Sequence, residues 1–474
     1  MANVAVAKDP KLTAAKKRAA KTGFHPSPYA VAKALTEGDL FTKASAVVLG
    51  LGNIVHKQYV KGAVFLLGEI LFLYLFFTSG ISCLAKLAYL GPVLKGSDGW
   101  DDDGNYVHID ATNSVRELLY AVAWIFLIAG FVLFWVAAVR SAYSAQVLTE
   151  KNGRAPTIIE DLKALLDSQI KGSLMALPTL GLITFTVLPI TITVLLAFTD
   201  ADHNHWPPFN WVGFETFAKV FDPNGSVAAG VNLGLFMKVL VWTLVWAFFA
   251  TFLNFFLGMF MAMVILRKGT RLKGLWRTCF SMSIAVPQFV SLLVIHQMLT
   301  DQGILNTMLK DWGVIDTSLP FWTDSWWARV TVIVVNLWIG VPYTIMQITG
   351  ILQNVPGELY EASEIDGANW WQTFTNITMP YILFVMTPYL ITTFTSNVNN
   401  FNVIYFLSGG APAAVGESAG DTDLLITWLY KLTVTKLDYN VGAVIGILTF
   451  IVLATVALIT YRSSGSYKNE EGFR

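Results

Sequence analysis

Two groups of residues in this chain of 474 amino acids have types and spacing suited to chemistry, and in both the chemistry is recognition rather than bond-making. The first is a polar island between two apolar blocks: Glu358-Leu359-Tyr360-Glu361-Ala362-Ser363-Glu364-Ile365-Asp366-Gly367-Ala368, running on to Ile377-Thr378-Met379-Pro380. Pro356 suits the first turn of a helix, and Glu358, Glu361 and Glu364 gather toward its positive end. Leu359, Ala362 and Ile365 recur at spacing three, which sets a small apolar face against an acidic one. Gly367 breaks that helix. Asn369 then caps a second short helix on which Trp370, Phe374 and Ile377 align, and Pro380 starts the next apolar segment. The pattern predicts a compact two-helix knob able to dock a separate protein. An amphipathic hairpin that merely lies on a membrane is the plainer alternative.

The second group carries amides and a phenol. Asn336, Ile339, Gly340 and Tyr343 fall on one face of a helix, and Gly340 with Pro342 permits a bend there. Asn397 and Asn400, three apart, are expected to share a face of the following span. Uncharged amide and phenol groups suit a neutral, hydroxyl-covered ligand such as a sugar. Hydrogen bonding between membrane helices accounts for the same residues equally well. Nothing else in the chain reads as catalytic or metal-binding. The chain reads as free of GxxxxGK[ST], HExxH, GxSxG, kinase-set and CxxC signatures, and Cys83 and Cys279 stand apart. His203 and His205 have no third ligand at helical or strand spacing. Gly420-Asp421-Thr422-Asp423 lacks EF-hand spacing and is expected in a plain solvated loop.

The elements that must position these groups are membrane helices. The composition is 54% hydrophobic and only 14% charged, with a mean hydropathy of +0.55. Soluble domains carry roughly 25% charged residues. Apolar blocks over 60–89, 118–139, 174–198, 236–266, 279–299, 330–352, 381–407 and 441–461 predict about eight spans. Lysines and arginines crowd the N-terminal segment (Lys8, Lys11, Lys16, Lys17, Lys21), the second connection (Arg140, Lys151, Arg154) and the fourth (Arg267, Arg271, Lys273). The first connection is acidic (Asp98, Asp101, Asp102, Asp103, Asp110). The positive-inside rule puts both termini and the polar island in the cytoplasm. Formal net charge is +0, which leaves no global field to recruit nucleic acid. The basic start lacks the apolar core of a secretory signal and reads as a cytoplasmic tail. Glu69 is the one acid inside an apolar block, a position that carries either a transport role or a snorkelling side chain.

Glu361-Ala362-Ser363, then Gly367, then Ile377-Thr378-Met379-Pro380 resembles the EAA loop of ABC importer permeases, with Ser363 and Met379 as departures. The resemblance implies that Glu361, Ala362, Ser363 and Gly367 dock an ATP-hydrolysing subunit. Asn336-Leu337-Trp338-Ile339-Gly340-Val341-Pro342-Tyr343, Asn397-Val398-Asn399-Asn400-Phe401 and Gly420-Asp421-Thr422-Asp423-Leu424-Leu425 are similar to the MalF-type permeases of maltose/maltodextrin importers. That resemblance implies an all-α integral membrane fold, with a six-helix permease core preceded by two extra helices. The divisions expected are a basic tail over 1–55, the extra helices over 56–175, the core over 176–462 with its loop at about 354–380, and a tail over 463–474. It also implies that Asn336, Ile339, Gly340, Tyr343, Asn397 and Asn400 contact an oligosaccharide.

The implied partners are two MalK-like ATP-binding subunits holding ATP and Mg, a MalG-like second permease, an extracellular solute-binding protein and the lipid bilayer of a bacterial cell. The chain itself is expected to carry no cofactor and to be a transport subunit rather than an enzyme. Ile284, Gln288 and Ser396 depart from the family's sugar-contact pattern. Only about thirty-five residues separate the third and fourth spans, where the MalF proteins of enteric bacteria insert a long domain. Against this stand an importer permease for another carbohydrate, a cyclodextrin or galacto-oligosaccharide, a self-contained carrier, which would need charged groups within its spans, and a membrane enzyme, for which no catalytic cluster is read.

Overall fold

The computed structural model describes residues 30–90, 97–100, 104–109, 112–167, 170–222, 231–267 and 269–463. Most of the expected N-terminal tail, nearly all of the C-terminal one and Asp101, Asp102, Asp103 and Asp110 lie outside the described residues. The described chain is helical apart from one hairpin. It divides into two compact units, Met1–Ile192 and Thr193–Arg474.

In the first unit, α1 (Val31–Glu37), α2 (Leu40–Ala44) and α3 (Leu51–Val55) precede α4 (Tyr59–Leu87). Strands β1 (Ser97–Trp100) and β2 (Tyr106–Ile109) pair antiparallel, with Trp100 opposite Tyr106, and lead into α5 (Ser114–Asn152). The short amphipathic α6 (Ile158–Leu166) connects α5 to α7 (Ile170–Leu196), whose last residues enter the second unit. Residues 31–55, expected in a solvated tail, are instead packed. Ala34 and Leu49 are buried in a cluster with Ala138, Val139 and Tyr143 of α5. Polar contacts fix the arrangement: Trp135 Nε1 donates to the Ala46 carbonyl at 2.8 Å, and the Asp39 backbone N–H donates to Gln146 Oε1 at 2.9 Å. Glu69 accepts from the Leu49 N–H at 2.8 Å. The acid within the first apolar block therefore fastens the preceding loop.

The second unit contains α8 (Glu215–Phe221), α9 (Leu233–Leu266), α10 (Lys273–Ala285), α11 (Gln288–Met298), α12 (Ile304–Asp311) and α13 (Ser325–Gln353). It continues with α14 (Gly357–Ile365), α15 (Trp370–Val398), α16 (Phe401–Leu407), α17 (Leu425–Tyr430) and α18 (Tyr439–Ser463). Helices α4, α5, α7, α9, α13, α15 and α18 are long and apolar enough to cross a membrane, and the pair α10–α11 would supply an eighth span. That pair corrects one expectation. The apolar block at 279–299 is broken by an 88° bend rather than forming a straight span. Pro287 forces the preceding Val286 out of the helical region to an extended conformation (φ −85°, ψ 128°). A second correction concerns 381–407: the helix ends at Val398, and a separate α16 follows.

Pro189 and Pro380 are absorbed differently, inside α7 and α15. Each has a single π turn, at Ile183–Val187 and Phe374–Thr378, ending two residues before Pro189 and Pro380. A helix proline removes its own N–H and crowds the carbonyl four residues back. The residue preceding each proline meets this by reaching one further, Leu188 N–H to Ile183 O and Met379 N–H to Phe374 O. Backbone groups thus stay paired within helices that lipid would otherwise penalise.

Helices α9 and α13 form the centre of the second unit. A row of small residues on α9 (Ala247, Ala250, Asn254, Gly258, Ala262) is buried. A Cβ at Gly258 would lie 2.6 Å from Thr344 Cβ, and one at Gly340 would lie 2.3 Å from Asn254 Nδ2. Gly340 thus admits a neighbouring side chain, where a bend had been expected of it. Lipid-solvated helices have no hydrophobic drive toward one another, so such close packing is what joins them. Replacing Gly258 with Val should cost about 1–3 kcal/mol through overpacking. It should lower the melting temperature of the purified protein in detergent, whereas Gly350→Val, with open space at its Cβ position, should leave melting nearly unchanged.

Candidate functional site

The polar island folds as a two-helix knob. Helix α14 starts one residue later than the proline pattern predicts, with Pro356 at the cap (φ −56°, ψ 126°) and Gly357 in the first turn. Its far end is a complete Schellman turn: Ala368 N–H donates to Ser363 O at 2.9 Å, and Gly367 N–H to Glu364 O at 3.2 Å. Gly367 takes the left-handed conformation this requires, φ +71°. Asn369 then caps α15 in a reciprocal box: its Oδ1 accepts from Gln372 N–H at 2.9 Å, and Gln372 Oε1 accepts from Asn369 N–H at 2.8 Å. Trp370 stacks on Phe374 at 5.5 Å.

The knob's second helix does not stop at Pro380. It is the start of α15, so the knob and the following span are one helical run of 29 residues.

The candidate docking residues separate by burial. Glu361, Ala362 and Gly367 are exposed. Ser363 is buried, with its hydroxyl donating to Tyr360 O at 2.8 Å and lying 3.3 Å from Thr373 Oγ1. Tyr360 in turn reaches Thr378 Oγ1 at 3.2 Å. Ser363 is therefore the pin between the knob's two arms, and its polarity where the loop pattern has alanine makes that bond possible. Ile365, at 86% exposure, and Leu359 present the apolar face outward beside Trp370 and Trp371.

The candidate ligand residues gather beside α9. Asn336 is buried, and its Nδ2 has no hydrogen-bond partner among the described residues. Gly340 abuts Asn254, whose Nδ2 donates to Ala250 O while its Oδ1 is likewise unpaired among them. Ile339 packs at the edge of the apolar cluster around Trp246, and Tyr343 is exposed. Asn397 and Asn400 do not share a face of one span, as expected. Asn397 lies in the last turn of α15, and Asn400 is the cap of α16, accepting from Val403 N–H at 3.3 Å. The intervening break still brings them together, Asn400 Nδ2 donating to Asn397 Oδ1 at 3.3 Å. Asn397 also donates to Thr251 Oγ1 at 3.0 Å, and its carbonyl accepts from Trp246 Nε1 at 3.1 Å.

Thr251 and Asn254 were missed in the sequence. Their signal, two polar residues three apart in an otherwise apolar block, is weak by itself. Ile284 and Gln288 flank the break between α10 and α11.

The segment from Ser408 to Leu424 overturns another expectation. It is not a plain solvated loop. Asp423 is fully buried, accepting from Gly420 N–H at 2.7 Å and Thr427 Oγ1 at 2.9 Å and pairing with Lys431 at 2.5 Å. Asp421 pairs with Lys238 of α9 at 2.9 Å and accepts from the Ser325 hydroxyl, while Arg329 Nε donates to its carbonyl at 3.0 Å. Arg329 also lies over the Trp242 ring at 4.9 Å. The expected absence of a G-x-S-x-G signature is corrected here, since Gly416-Glu417-Ser418-Ala419-Gly420 has that hydrolase-nucleophile spacing. Ser418 is buried with its Oγ accepting from Trp428 Nε1 at 2.9 Å, and the segment lacks the strand-to-helix elbow that would expose a nucleophile.

Asp423→Ala should cost about 3–5 kcal/mol, the range for breaking a buried ion pair. Glu417→Gln, at a half-exposed pair with Lys238, should cost less than about 1 kcal/mol. Thermal melting of the two variants checks the contrast. Burial raises the Asp421 carboxyl, but Ser325 and Lys238 outweigh it and the net displacement is downward. A carboxyl depressed in the folded state stabilises above its ordinary value and loses that contribution as pH falls through the folded value. Melting of the wild type should accordingly drop at acid pH, and the part due to this anchor should be missing in Asp421→Asn.

The family described as binding-protein-dependent transport system inner membrane component matches residues 254–464. The chain is 33% identical over 429 residues to the galactooligosaccharides transport system permease protein GanP of Bacillus subtilis, covering 90% of this chain and 97% of that protein. It is 32% identical to the maltodextrin transport system permease protein MdxF of the same organism, covering 90% and 96%. It is also 32% identical to the maltose/maltodextrin permease MalF of Vibrio parahaemolyticus over 258 residues, which take in 53% of this chain and 48% of that protein. Among solved structures, a bacterial alginate ABC transporter in complex with an alginate pentasaccharide-bound periplasmic protein superposes with a TM-score of 0.53 at 19% identity, over 64% of this chain and 97% of that one. With its apolar helices, its knob between α13 and α15 and these relatives, the chain belongs to the inner-membrane components of binding-protein-dependent ABC importers and is a multi-pass permease of the MalF type.

Proposed function

We propose that this chain is the permease subunit through which a bacterial ABC importer takes up a maltodextrin-like oligosaccharide, with ATP and Mg held by two separate MalK-like subunits. The observation that carries the reading is the knob. It has a complete Schellman turn at Gly367, an internal Ser363 pin, and an outward face combining Glu361, Ala362 and the exposed Ile365. A pre-ordered protrusion with an apolar tip is what a cleft on a partner ATPase can grip at small entropic cost. Closure of the ATPases would move the knob and, with it, α15, switching the cavity between outward and inward access. A MalG-like permease completes the pore, and an extracellular solute-binding protein delivers the sugar. Both termini and the knob face the cytoplasm, where the lysines and arginines of the connections lie.

The ligand groups support the sugar assignment. Asn336 Nδ2 and Asn254 Oδ1 are a buried donor and a buried acceptor without partners among the described residues, on facing helices. Each costs about 1–3 kcal/mol when unmet. Sugar hydroxyls, which both donate and accept, would satisfy both, with Asn397 and Asn400 close to the same seam and Tyr343 offering an aromatic face. A second reading, a galacto-oligosaccharide, is favoured by the match to the Bacillus subtilis permease named for that transport.

In the reconstituted importer, Gly367→Ala strains the left-handed turn by about 1–2 kcal/mol and should weaken ATPase association about 5- to 30-fold. Glu361→Ala should lower ATP-driven uptake with the fold intact. Unaltered complex formation and uptake in both variants would sink the docking role. Titrating the cognate binding protein with maltodextrins and galacto-oligosaccharides distinguishes the two sugars, the first being expected to bind more tightly.

A further inference from the structure

A small cavity of about 250 Å³ lies in the second unit, between the first turns of α10 and the last turns of α13. Arg277 and Ser281, four apart on α10, line one side of it, and Met346, Thr349 and Gln353 line the other. Phe280 and Pro342 add apolar wall. The volume falls below the roughly 300–1,000 Å³ of ordinary small-molecule sites, so an oligosaccharide does not fit. The cavity is also distinct from the amide seam. At 3.6 residues per turn, Pro342, Met346 and Thr349 lie about a third of a turn round α13 from Asn336 and Gly340.

Two polar groups in its wall are unmet. Thr349 is 6% exposed, and its Oγ1 has no hydrogen-bond partner among the described residues. A helix threonine ordinarily bonds the carbonyl four residues back, as Thr344 does to Gly340 O at 3.3 Å. Thr349 leaves that bond unmade. Arg277 Nε is likewise buried and without a partner among the described residues, and the cavity wall offers it no carboxylate. An arginine Nε–H only donates, and a threonine hydroxyl can donate beside it. Burying such groups unmet is unfavourable, so two of them in one cavity wall call for an acceptor.

Residues 278–300 carry no lysine, arginine, aspartate or glutamate, so Arg277 stands at the edge of an apolar block. From that edge the cavity follows the end of α13 to Gln353, three positions before Pro356 of the knob. The geometry points to a binding site for a small oxyanion, a carboxylate or phosphate group on a short apolar body, held by Arg277 and Thr349. A guanidinium matches either anion in shape as well as charge. Phe280, Pro342 and Met346 line the space for the body. A neutral polyol would leave the guanidinium charge uncompensated. An occupant would bridge α10 to the end of α13 that carries the knob. On the orientation proposed above this end is cytoplasmic, and only that sidedness rests on the transport reading.

Equilibrium dialysis of the assembled transporter in detergent tests this with labelled butyrate and, separately, labelled inorganic phosphate. Saturable binding of at least one is expected, and n-butanol should not displace it. Arg277→Gln should weaken binding about tenfold or more, the effect of one charged hydrogen bond. Thr349→Val keeps the shape and should weaken it about threefold. Gly350→Phe should abolish binding by filling the cavity while both donors remain, since a Cβ there meets no atom within 4 Å. Melting is recorded for each variant, and one that fails to assemble leaves the other two to decide. Phosphate held by partner subunits is common to wild type and variants and subtracts out. Phosphatidylglycerol retained in native mass spectrometry and lost in the same variants, with neither free anion bound, would keep the site and assign its anion to a lipid headgroup. No saturable binding of any of the three probes, the result if a partner subunit's carboxylate meets Arg277, would overturn the site. Binding unchanged in the variants that assemble would overturn it equally.

Discussion

The close approach of α9 and α13 at Gly258 and Gly340 is the contact on which the second unit depends. In water, helices are driven together by the apolar surface they remove from solvent, but lipid tails offer the same apolar surroundings and that drive vanishes. What remains is dispersion between well-fitted surfaces, which falls away sharply when a gap of even half an ångström opens. Glycine at 258 lets Thr344 enter the α9 surface, and glycine at 340 lets Asn254 reach the α13 backbone. A polar side chain is thereby carried into a dry contact, and its amide Oδ1 is left facing inward without a partner among the described residues. The same packing that joins the helices thus creates the unmet hydrogen-bonding capacity of the seam.

A second fastening complements it at the far ends of these helices. Asp421 draws together Lys238 of α9 and Ser325 and Arg329 of α13, while Asp423 closes its own segment onto Lys431. Ionic contacts of this kind are geometrically demanding, because each buried charge must find its partner or incur several kcal/mol of desolvation. They set where the ends of α9 and α13 lie, and the glycine contact sets how near their middles come. The amides of Asn336, Asn254 and Asn397 are disposed between these two constraints.

The sequence made the knob legible almost to the residue because its signals are local. A glycine at a left-handed position and an asparagine followed three residues later by glutamine act within one turn. Most spans were legible from apolar length alone. The break at Pro287 was not, since a proline inside an apolar run has several outcomes: a bend, as here, a π turn, as at Pro189 and Pro380, or a helix that continues, as at Pro178, Pro342 and Pro388. The roles of Asp421 and Asp423 were hidden for another reason. Lys238 is 183 positions from Asp421, and only folding brings them within 2.9 Å. Asn397 and Asn400 were singled out by spacing, yet the spacing misjudged their geometry, because Asn400 acts as a helix cap and a cap lies outside the helical period.

Helix α15 joins the knob to the amide seam. It starts at Trp370, within the knob, and ends at Val398, one residue past Asn397. A run of 29 residues extends about 43 Å at 1.5 Å per residue, longer than the hydrocarbon core is thick. Ser363 and Tyr360 tie the knob's first arm to the base of that helix through Thr373 and Thr378. The π turn at Phe374–Thr378 lies between the tied base and the span proper. Pro388 interrupts the backbone ladder again further along α15, and π turns of this kind recur at functional positions. On the proposed docking role, a displacement of the knob would have two routes. It would travel along α15 to Asn397 and its bond to Thr251, or it would be absorbed at the π turn. The capping box at Asn369 and the Trp370–Phe374 stack brace the base and would favour the first route.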